Sequence, residues 1–447
     1  MLILSKYSHL FVSKEGRFLL YNSEVNMFVE LTKQQYYSIL QFAKTGKVNE
    51  LSRREIEYLL DKKIIVEEEN KDDYYNKIKF ITRLNCFSYD TLTLNIIPTT
   101  ACNFSCSYCF EKSKPIRIMS DKIIDDLCTF VNKNTRAHKI NLIWYGGEPL
   151  LALNVIRKIL DKITTETDKP IVHQSLISNG YCINGQVCNL FKEYKLDDVQ
   201  ITLDGSCAQH NSKRFTNNDH NTYDRIVRNI GIVLHELPFT HMHVRINIDE
   251  NNKRDYHRVT NELRTLYDTD RLTFYPGFLR IEDSVLGKMK LPSIVEQSKR
   301  NFYFDLECEG ESVNFFPIHR NKSCCAVKLN TFIIGPQGEF YKCWNDVGFE
   351  DRIIGYINSE NISNQSLLLK YLLDGTMFDD PKCRECFFFP ICGGGCPQYR
   401  LKNKFQNGHY NLCSTYQDGS LDMDYLNRCL EEHYKMSSYV IKLNIDK

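Results

Sequence analysis

The sequence predicts an α/β fold with a parallel sheet, preceded by a small module of strands and helices and followed by a cysteine-rich region. Six apolar, strand-like segments alternate with amphipathic helical patterns between residue 92 and about residue 280. Strands that alternate with helices in this way favour a parallel sheet with crossover helices. Eight of the 18 cysteines then fall between Cys324 and Cys413, where the alternation has ended.

The composition is that of an ordinary globular protein with about two to four domains. Of its 447 residues, 42% are hydrophobic and 25% are charged. The net charge of +1 gives no indication of nucleic acid or an anionic membrane as a partner. No apolar stretch approaches the ~20 residues that a membrane span needs. We therefore expect a cytoplasmic protein with reduced thiols, in which clustered cysteines are typical of metal binding.

The N-terminal stretch, up to Val66, predicts a compact module. Capping boxes at Thr32-x-x-Gln35 and Ser52-x-x-Glu55 predict where two helices begin, and Gly46 can end the first. The acidic run at residues 67–73 predicts a solvated linker after the module. Short strands are expected at residues 9–12, 17–21, 27–30 and 64–66.

This order of strands and helices resembles the winged-helix RiPP recognition element, which binds leader peptides in systems that mature ribosomally made peptides. The resemblance implies that a leader adds a strand beside residues 27–30. The alternative is a small domain that merely packs on its neighbour.

The strands of the alternating region are expected at residues 92–97, 140–145, 172–178, 199–203, 243–248 and 272–275. Three cysteines follow the first of them at a C-x3-C-x2-C spacing: Cys102, Cys106 and Cys109. Three thiolates so closely spaced can hold one face of a cubane iron–sulfur cluster and leave its fourth iron without a protein ligand. A structural zinc site is the alternative, but such sites close with four ligands.

The triad, with Tyr108 before its last cysteine, resembles the radical SAM superfamily. This resemblance implies a partial (β/α)6 TIM-like barrel, with chemistry at the carboxyl ends of the strands. It also implies S-adenosylmethionine (SAM), bound to the free iron of a 4Fe-4S cluster and cleaved to a 5'-deoxyadenosyl radical. An external electron donor such as flavodoxin or ferredoxin would reduce the cluster.

Motifs of that family follow the next three strands. Trp144-Tyr-Gly-Gly-Glu-Pro149 follows the second strand, where two glycines let the backbone approach a ligand; relatives hold the methionine amino group here. Ser178-Asn-Gly180 ends the third strand and Thr202-Leu-Asp-Gly205 ends the fourth, where relatives contact the ribose and methionine portions. The resemblance thus assigns SAM binding to Gly146, Gly147, Glu148, Pro149, Ser178, Asn179, Asp204 and Arg214.

One motif departs from the family pattern. Relatives often carry His-Asp-x-x-Arg where this chain has His210-Asn-Ser-Lys-Arg214. Arg214 remains a candidate to pair the SAM carboxylate, whereas a lone His such as His210 is more often structural than catalytic. Asn247 and Asn251 are further candidates to face the cofactor. The sequence identifies no catalytic acid or base.

The cysteine-rich region resembles the SPASM extension of radical SAM enzymes, around a hairpin expected at residues 331–341. The resemblance implies two auxiliary 4Fe-4S clusters, the first with three cysteines and the second with four. Cys324 or Cys308 could complete the first; otherwise its open iron could bind a substrate thiol. Structural zinc is again the alternative. The predicted ligands are Cys325, Cys343 and Cys396 for the first cluster, and Cys383, Cys386, Cys392 and Cys413 for the second.

We therefore expect a recognition module at residues 1–80, a radical SAM core at 88–285, a SPASM domain at 300–420, and a helix and tail at 421–447, with Cys429 buried in that helix. The favoured function is maturation of a precursor peptide, as in sactipeptide- and ranthipeptide-forming enzymes, by a crosslink: a thioether is ranked above a carbon–carbon link. Alternatives are a formylglycine-generating anaerobic sulfatase maturase, a peptide epimerase, and a non-enzymatic zinc or iron–sulfur scaffold. The N-terminal module argues against the sulfatase maturases, which generally start close to their barrel.

Overall fold

The computed structural model describes residues 1–47, 51–106, 108–109, 115–249, 252–278, 323–359, 361–413, 423–437 and 440–443. The chain divides into two compact units. The terminal unit combines Met1–Cys86 with Ser312–Val327 and Leu372–Lys447, and the sheet unit combines Phe87–Glu311 with Lys328–Tyr371. The candidates Asn251 and Cys308 lie outside the described residues.

The N-terminal part of the terminal unit is a small sheet covered by helices. Its strands β2, β3 and β4 form an antiparallel meander, and β1 pairs with β5. Both predicted capping boxes are present, and Gly46 ends the first helix with a φ of 70°. The predicted strands are confirmed to within one residue. The elements are β1 (Leu2–Leu4), β2 (Ser8–Val12), β3 (Phe18–Asn22), β4 (Met27–Leu31), α1 (Lys33–Thr45), α2 (Arg53–Asp61), β5 (Ile65–Glu67) and α3 (Asp73–Cys86).

The acidic run after this module is folded, so the prediction of a solvated linker was wrong. Glu68–Asn70 forms a 3₁₀ turn, and α3 begins at Asp73. The Asp72 side chain is only 15% exposed and pairs with Lys6 and Arg384. Those partners lie 66 and 312 residues away in sequence, so local charge patterning could not reveal them.

The sheet unit is built on the predicted parallel sheet. Its six strands β6 to β11 pair in sequence order and in parallel, as predicted to within three residues at each end. The strands are β6 (Thr91–Ile96), β7 (Lys139–Trp144), β8 (Ile171–Ser178), β9 (Asp198–Leu203), β10 (His241–Ile248) and β11 (Leu272–Phe278). The helices of this region are α4 (Asp121–Lys133), α5 (Leu153–Glu166), α6 (Gly185–Glu193), α7 (Cys207–Lys213), α8 (Thr222–Glu236) and α9 (Asp255–Leu266).

Three further strands extend the sheet beyond β6. The strand β12 (Thr331–Ile334) pairs in parallel with β6 and forms the predicted hairpin with β13 (Glu339–Tyr341), which pairs with β14 (Gly355–Tyr356). A short helix, α10 (Gln365–Leu369), follows. Because β6 to β11 are parallel, the loops after them lie along one edge, which carries the predicted SAM motifs.

The chain then returns to the terminal unit through α11 (Pro381–Arg384), α12 (Pro397–Phe405), α13 (Met423–Met436) and β15 (Val440–Lys442). The helix predicted within residues 421–447 is confirmed as α13, with Cys429 buried. The strand β15, absent from the prediction, pairs in parallel with β4. No helix in the described ranges is long and apolar enough to cross a membrane.

The loop between Cys386 and Cys392 packs directly on the N-terminal module. Phe387 makes edge contacts with His9 and Tyr21, and its carbonyl oxygen accepts a hydrogen bond from Ser23 Oγ (2.6 Å). Phe389 stacks on Tyr7, with ring centroids 6.3 Å apart. The module and the cysteine-rich segment therefore share one apolar interior.

Candidate active site

The cysteine triad lies on the loop after β6, at the carboxyl edge of the parallel sheet. Neighbouring loops hold it, since Glu148 N donates to Ala101 O (2.8 Å) and Ser105 N donates to Phe215 O (2.9 Å). Cys106 is buried and Cys109 is half-buried, with Cys109 N donating to Cys106 O (3.3 Å). Burial raises the pKa of the Cys106 thiol, and the charge of Arg214 opposes that rise. The positive charge thus favours the thiolate that a metal cluster requires.

Gly146 and Gly147, after β7, seat that turn against the cysteine loop. A Cβ added at Gly147 would lie 2.3 Å from Ala101 O, and one at Gly146 would lie 2.4 Å from Thr99 O. Gly146 also has a φ of 142°. Only glycine permits this approach. Glycine is therefore required here because the loop after β7 packs closely on the cysteine loop.

Glu148 is fully buried and ties the end of β7 to the end of β8. Its Oε1 accepts from Leu150 N (3.1 Å) and Ser178 Oγ (2.9 Å), and its Oε2 accepts from Asn179 N (2.7 Å). Burial raises the pKa of the carboxyl, and these hydrogen bonds oppose the rise. Pro149, the next residue, opens the 3₁₀ turn Pro149–Ala152.

Asn179 continues this network to the cysteine loop. Its Nδ2 donates to Asn103 Oδ1 (2.8 Å), and its Oδ1 accepts from Tyr181 N (2.9 Å). Asn103 lies between the first two cysteines of the triad. Glu148, Asn179 and Asn103 therefore link the second, third and first strand ends into one hydrogen-bonded chain.

Arg214, Asp204, Tyr108 and Asn247 form a buried polar cluster beside the triad. The Tyr108 hydroxyl accepts from Arg214 Nη1 (2.9 Å) and Asn247 Nδ2 (3.1 Å), and Asn247 Nδ2 also donates to Asp204 Oδ1 (3.0 Å). Arg214 Nη1 lies 3.8 Å from Asp204 Oδ1. Burial raises the pKa of Asp204, although the Arg214 charge opposes it. Burial lowers the pKa of Arg214, but Tyr108, Cys106 and Asp204 together raise it by more, so the guanidinium stays charged.

Several polar atoms of this region are buried without a hydrogen bond to any described residue. They include Asp204 Oδ2, Arg214 Nε, Asn247 Oδ1 and Asn103 Nδ2. Because an unpaired buried polar atom is costly, such a group marks where a ligand fits. These atoms include both donors and acceptors, the groups that bind the carboxylate and the ammonium of an amino-acid ligand.

His210 is structural. It is fully buried, its Nδ1 accepts from Asp204 N (3.3 Å), and its Nε2 lies 3.2 Å from Thr222 Oγ1. Thr222 Oγ1 donates to Arg214 O, so His210 Nε2 is the donor to Thr222. Burial and the Arg214 charge lower its pKa well below the usual value, so the imidazole stays neutral.

The cysteines predicted for the auxiliary clusters belong to both units. Cys343 follows β13 in the sheet unit, and the other six lie in the terminal unit. There, the 3₁₀ turn Cys325–Val327 packs on α12, which begins after Cys396.

Thiols of the second predicted ligand set affect one another's pKa values. Burial raises the pKa of Cys383 to about 12 and of Cys386 to about 11, and the charge of Cys392 raises both. Cys413 adds to the rise at Cys386. Cys324 lines a cavity with Cys392. Among the residues that the structure describes, no three Cys, His, Asp or Glu side chains converge on a site for a single metal ion. This does not argue against a cubane cluster, because each of its thiolate ligands binds a different iron and the thiolates need not meet at one point.

Sequence reasoning did not find Asn103 or Asn252 as site residues. Asn252 Nδ2 donates to the carbonyl oxygens of Asp204 and Asn247, each at 2.9 Å, and so fixes two strand ends. Asn103 lies within the triad motif, which was the only available signal. An Asn in a loop is otherwise typical of turns.

Comparison with known proteins identifies the domain. The profile of the radical SAM superfamily matches residues 96–260, the segment that holds the triad, Glu148, Asp204 and Arg214. This chain carries a radical SAM domain. The predicted SAM and 4Fe-4S cofactors follow from it, and the buried cluster fits the methionine carboxylate and ammonium groups of SAM.

Two relatives match this radical SAM enzyme over most of its length. The cysteine-type anaerobic sulfatase-maturating enzyme of Clostridium novyi is 25% identical over 346 residues, covering 71% of this chain and 91% of the relative. The radical SAM cyclopropyl synthase TigE of Paramaledivibacter caminithermalis is 22% identical over 444 residues, covering 88% of this chain and 89% of the relative.

Two solved structures share the fold. Native anSMEcpe with bound AdoMet and Cp18Cys peptide has a TM-score of 0.53 at 20% identity, covering 77% of this chain and 96% of that one. Streptococcus suis SuiB bound to S-adenosylmethionine has a TM-score of 0.50 at 15% identity, covering 90% and 96%. The protein is thus a radical SAM enzyme related to anaerobic sulfatase maturases and to a radical SAM cyclopropyl synthase.

Proposed function

We propose that this radical SAM enzyme matures a ribosomally made precursor peptide by forming a crosslink within it. The observation that carries the proposal is the terminal unit, in which the small antiparallel sheet of the N-terminal module shares its apolar interior with the predicted ligand loop Cys386–Cys392. A recognition module built into the cysteine-rich region would hold a peptide by its leader while another part of it reacts.

The reach of the similarity supports a role for the N-terminal module that a sulfatase maturase would not need. The match to TigE covers 88% of this chain, so the part that it leaves uncovered is shorter than Met1–Cys86. It therefore extends into the N-terminal module. The match to the C. novyi sulfatase maturase covers 71% of the chain, and the part that it leaves uncovered is longer than Met1–Cys86. That match does not require the module.

Within the sheet unit, we assign roles to the chain's own residues. The triad would hold the cluster, and when bound, cluster and SAM supply a carbon radical that abstracts a hydrogen atom from an unactivated carbon. Arg214 would pair the carboxylate of SAM, while Asp204 and Asn247 would accept from its ammonium or hydroxyl groups. Glu148 and Asn179 position the loops that face it. Burial of these groups excludes water from the reaction.

A thioether from a substrate cysteine is the preferred product, and a carbon–carbon link is the second candidate. The first auxiliary set has three predicted cysteines, Cys325, Cys343 and Cys396. Cys324, a candidate for the fourth, lines a cavity with Cys392 of the other set. A ligand set with three cysteines leaves a position for a substrate thiol.

The test is mass spectrometry of the precursor peptide after anaerobic reaction with the reconstituted enzyme, SAM and a flavodoxin or ferredoxin system. We expect a product that has lost two hydrogens and one alkylatable thiol. Loss of two hydrogens with every thiol retained indicates a carbon–carbon link. Loss of the cysteine sulfur indicates formylglycine, and unchanged mass with hydrogen exchanged from solvent indicates epimerisation; either refutes the crosslink.

Metal content tests the cofactor assignment. Three 4Fe-4S clusters amount to about twelve irons per chain. We expect that replacing Cys102, Cys106 and Cys109 together by Ala removes about four irons and all SAM cleavage. A colourless protein with bound zinc, or 5'-deoxyadenosine made by the triple variant, contradicts the assignment.

A further inference from the structure

The outer edge of β4 is occupied by a strand of the chain itself. In this parallel pair Val440 lies opposite Phe28, Ile441 opposite Val29, and Lys442 opposite Glu30. Leu443 continues the ladder, since its N donates to Glu30 O (3.2 Å) and its O accepts from Gln35 Nε2 (3.2 Å). This is the edge at which the sequence predicts that a leader strand adds.

The inward positions of β15 require aliphatic side chains. Leu443 is buried in the core of the module, which includes Ile39 and Leu31, and Ile441 packs on the same core while partly buried. These two residues are separated by one position, as side chains on one face of a strand must be. An occupant of this edge therefore needs an aliphatic-x-aliphatic pattern.

The outward positions face a charged cavity of about 540 Å³. Three carboxylates and two basic side chains line it besides Lys442: Glu15, Glu30, Glu431, Arg17 and Lys435. Lys442 Nζ lies 3.8 Å from Glu30 Oε2, and its side chain is 70% exposed. The cavity has room for a long side chain at this position, and the excess of carboxylates favours a cation.

The attachment of β15 is slight. The strand has three residues, and of the positions 440–443 only Leu443 is fully buried. The burial of one leucine is of the same order as the cost of ordering the few residues around it. A free peptide with the same pattern can therefore compete for the edge.

We propose that the outer edge of β4 is an exchangeable strand site. In the free enzyme β15 fills it, and an extended aliphatic–basic–aliphatic segment of the leader, running parallel to β4, replaces β15. Only the identity of the incoming peptide rests on the proposed function. The exchange itself is a property of this chain.

The first test uses the chain's own strand as the probe. A fluorescein-labelled synthetic peptide of residues 438–447 is titrated with the full-length wild type and with full-length Leu443→Asp, and its anisotropy is measured. Asp at 443 cannot enter the apolar core, so β15 should vacate the edge. We expect the variant to bind the probe at least about tenfold more tightly than the wild type. The control Arg53→Ala alters a side chain on α2 that is 93% exposed and lies outside this edge, and it should match the wild type.

A second variant tests the exchange even if Leu443→Asp disrupts the folding of the module. A chain that ends at Ser437 lacks the strand but keeps every other core residue, and circular dichroism establishes that it is folded. Saturable binding of the probe to this chain supports the exchange. Absence of binding to the folded chain, or equal binding to it and to the wild type, overturns it.

The leader of the precursor peptide then tests the partner. We expect it to displace the probe from the variants, and expect Asp at its aliphatic positions to abolish displacement. If the leader fails to displace a bound probe, the leader is not the incoming peptide, but the exchange of β15 is not contradicted. Crosslinking of the precursor by mass spectrometry separately decides the proposed function, so the two failures are distinguishable.

Discussion

Arg214 interacts with most of the polar residues in the buried cluster of the site. Tyr108, Asp204 and Cys106 all act on its charge, and Phe104 lies under its guanidinium at 5.5 Å. With one nitrogen bonded to Tyr108 and Nε buried without a described partner, it can serve a planar anion from a fixed position. A lysine in its place would have one nitrogen for both tasks.

We therefore predict that Arg214→Lys binds SAM at least about tenfold more weakly while its iron content is unchanged, since a charge-assisted hydrogen bond is lost. Calorimetric titration of the anaerobically reconstituted protein measures this. Arg157→Lys is the control, because Arg157 pairs with Glu193 at the exposed surface. Wild-type affinity in Arg214→Lys would remove Arg214 from the SAM site.

A second residue-scale prediction concerns the close approach at Gly147. Ala at this position would place its Cβ 2.3 Å from Ala101 O and 2.5 Å from Thr100 O, both backbone atoms. Overpacking of this kind costs about 1–3 kcal/mol. We expect Gly147→Ala to lower Tm and the iron bound at the triad. Gly185→Ala, where no atom lies within 4 Å of the added Cβ, should keep both; similar behaviour of the two variants would contradict the steric argument.

Helices and strands were predictable from the sequence where they have a long hydrophobic pattern or a capping box. The strands β6 to β11 are apolar runs between amphipathic helices, and α1 and α2 carry complete capping boxes. The strand β15 was missed because three residues carry no usable period. Helix α3 was missed because the acidic residues at its start resemble a linker. The hydrogen bond between Asn179 and Asn103 could not be foreseen, since nothing in their spacing encodes it.

Helix α13 packs on the sheet of the module through two histidines. His433 Nε2 lies 2.9 Å from Asn26 Oδ1 and its ring meets Tyr21 edge-on. His9 Nε2, on β2, lies 2.8 Å from Asn427 Oδ1. Burial lowers the pKa of His433 to about 4 and lowers that of His9 as well. Both contacts are therefore made by neutral imidazoles.

The sign of the pH dependence follows. Because the folded pKa of His433 lies below the ordinary value of about 6.5, its stabilisation is complete above that pH and is lost as the pH falls towards 4. At about pH 5 the loss is on the order of 2 kcal/mol. We expect Tm to fall less between about pH 7.5 and pH 5 in His433→Gln than in the wild type. The control is His235→Gln, whose side chain is 86% exposed and whose Tm should fall with pH as in the wild type. An equally large fall of Tm in His433→Gln and in the wild type would contradict the argument.

At the scale of the whole molecule, the cysteine-rich segment depends on the module. Tyr7 is 1% exposed and contacts both Phe389 and Tyr74. Deleting the module would uncover the loop between Cys386 and Cys392. Such a deletion would therefore disturb the cysteine-rich segment together with the proposed leader binding, so a point substitution is the sharper probe.

We predict that Tyr7→Ala destabilises the terminal unit by about 3–5 kcal/mol, as removal of a buried aromatic does. The loss should appear as a lower Tm and an iron content below that of the wild type, with the triad cluster and SAM cleavage retained. Tyr37→Ala is the control, because Tyr37 is 52% exposed on α1. Full iron content in Tyr7→Ala would show that the ligand loop does not need this cover.

The contact between Ser23 and Phe387 joins residues 364 positions apart. At about 5–20 residues per second, a ribosome takes roughly 20–70 s to make the intervening chain. During that time the first strands have emerged without Phe387 and Phe389, which later cover them. The nascent module therefore exposes aromatic surface while the entire sheet unit is made, and this interval is when a chaperone would protect the chain best.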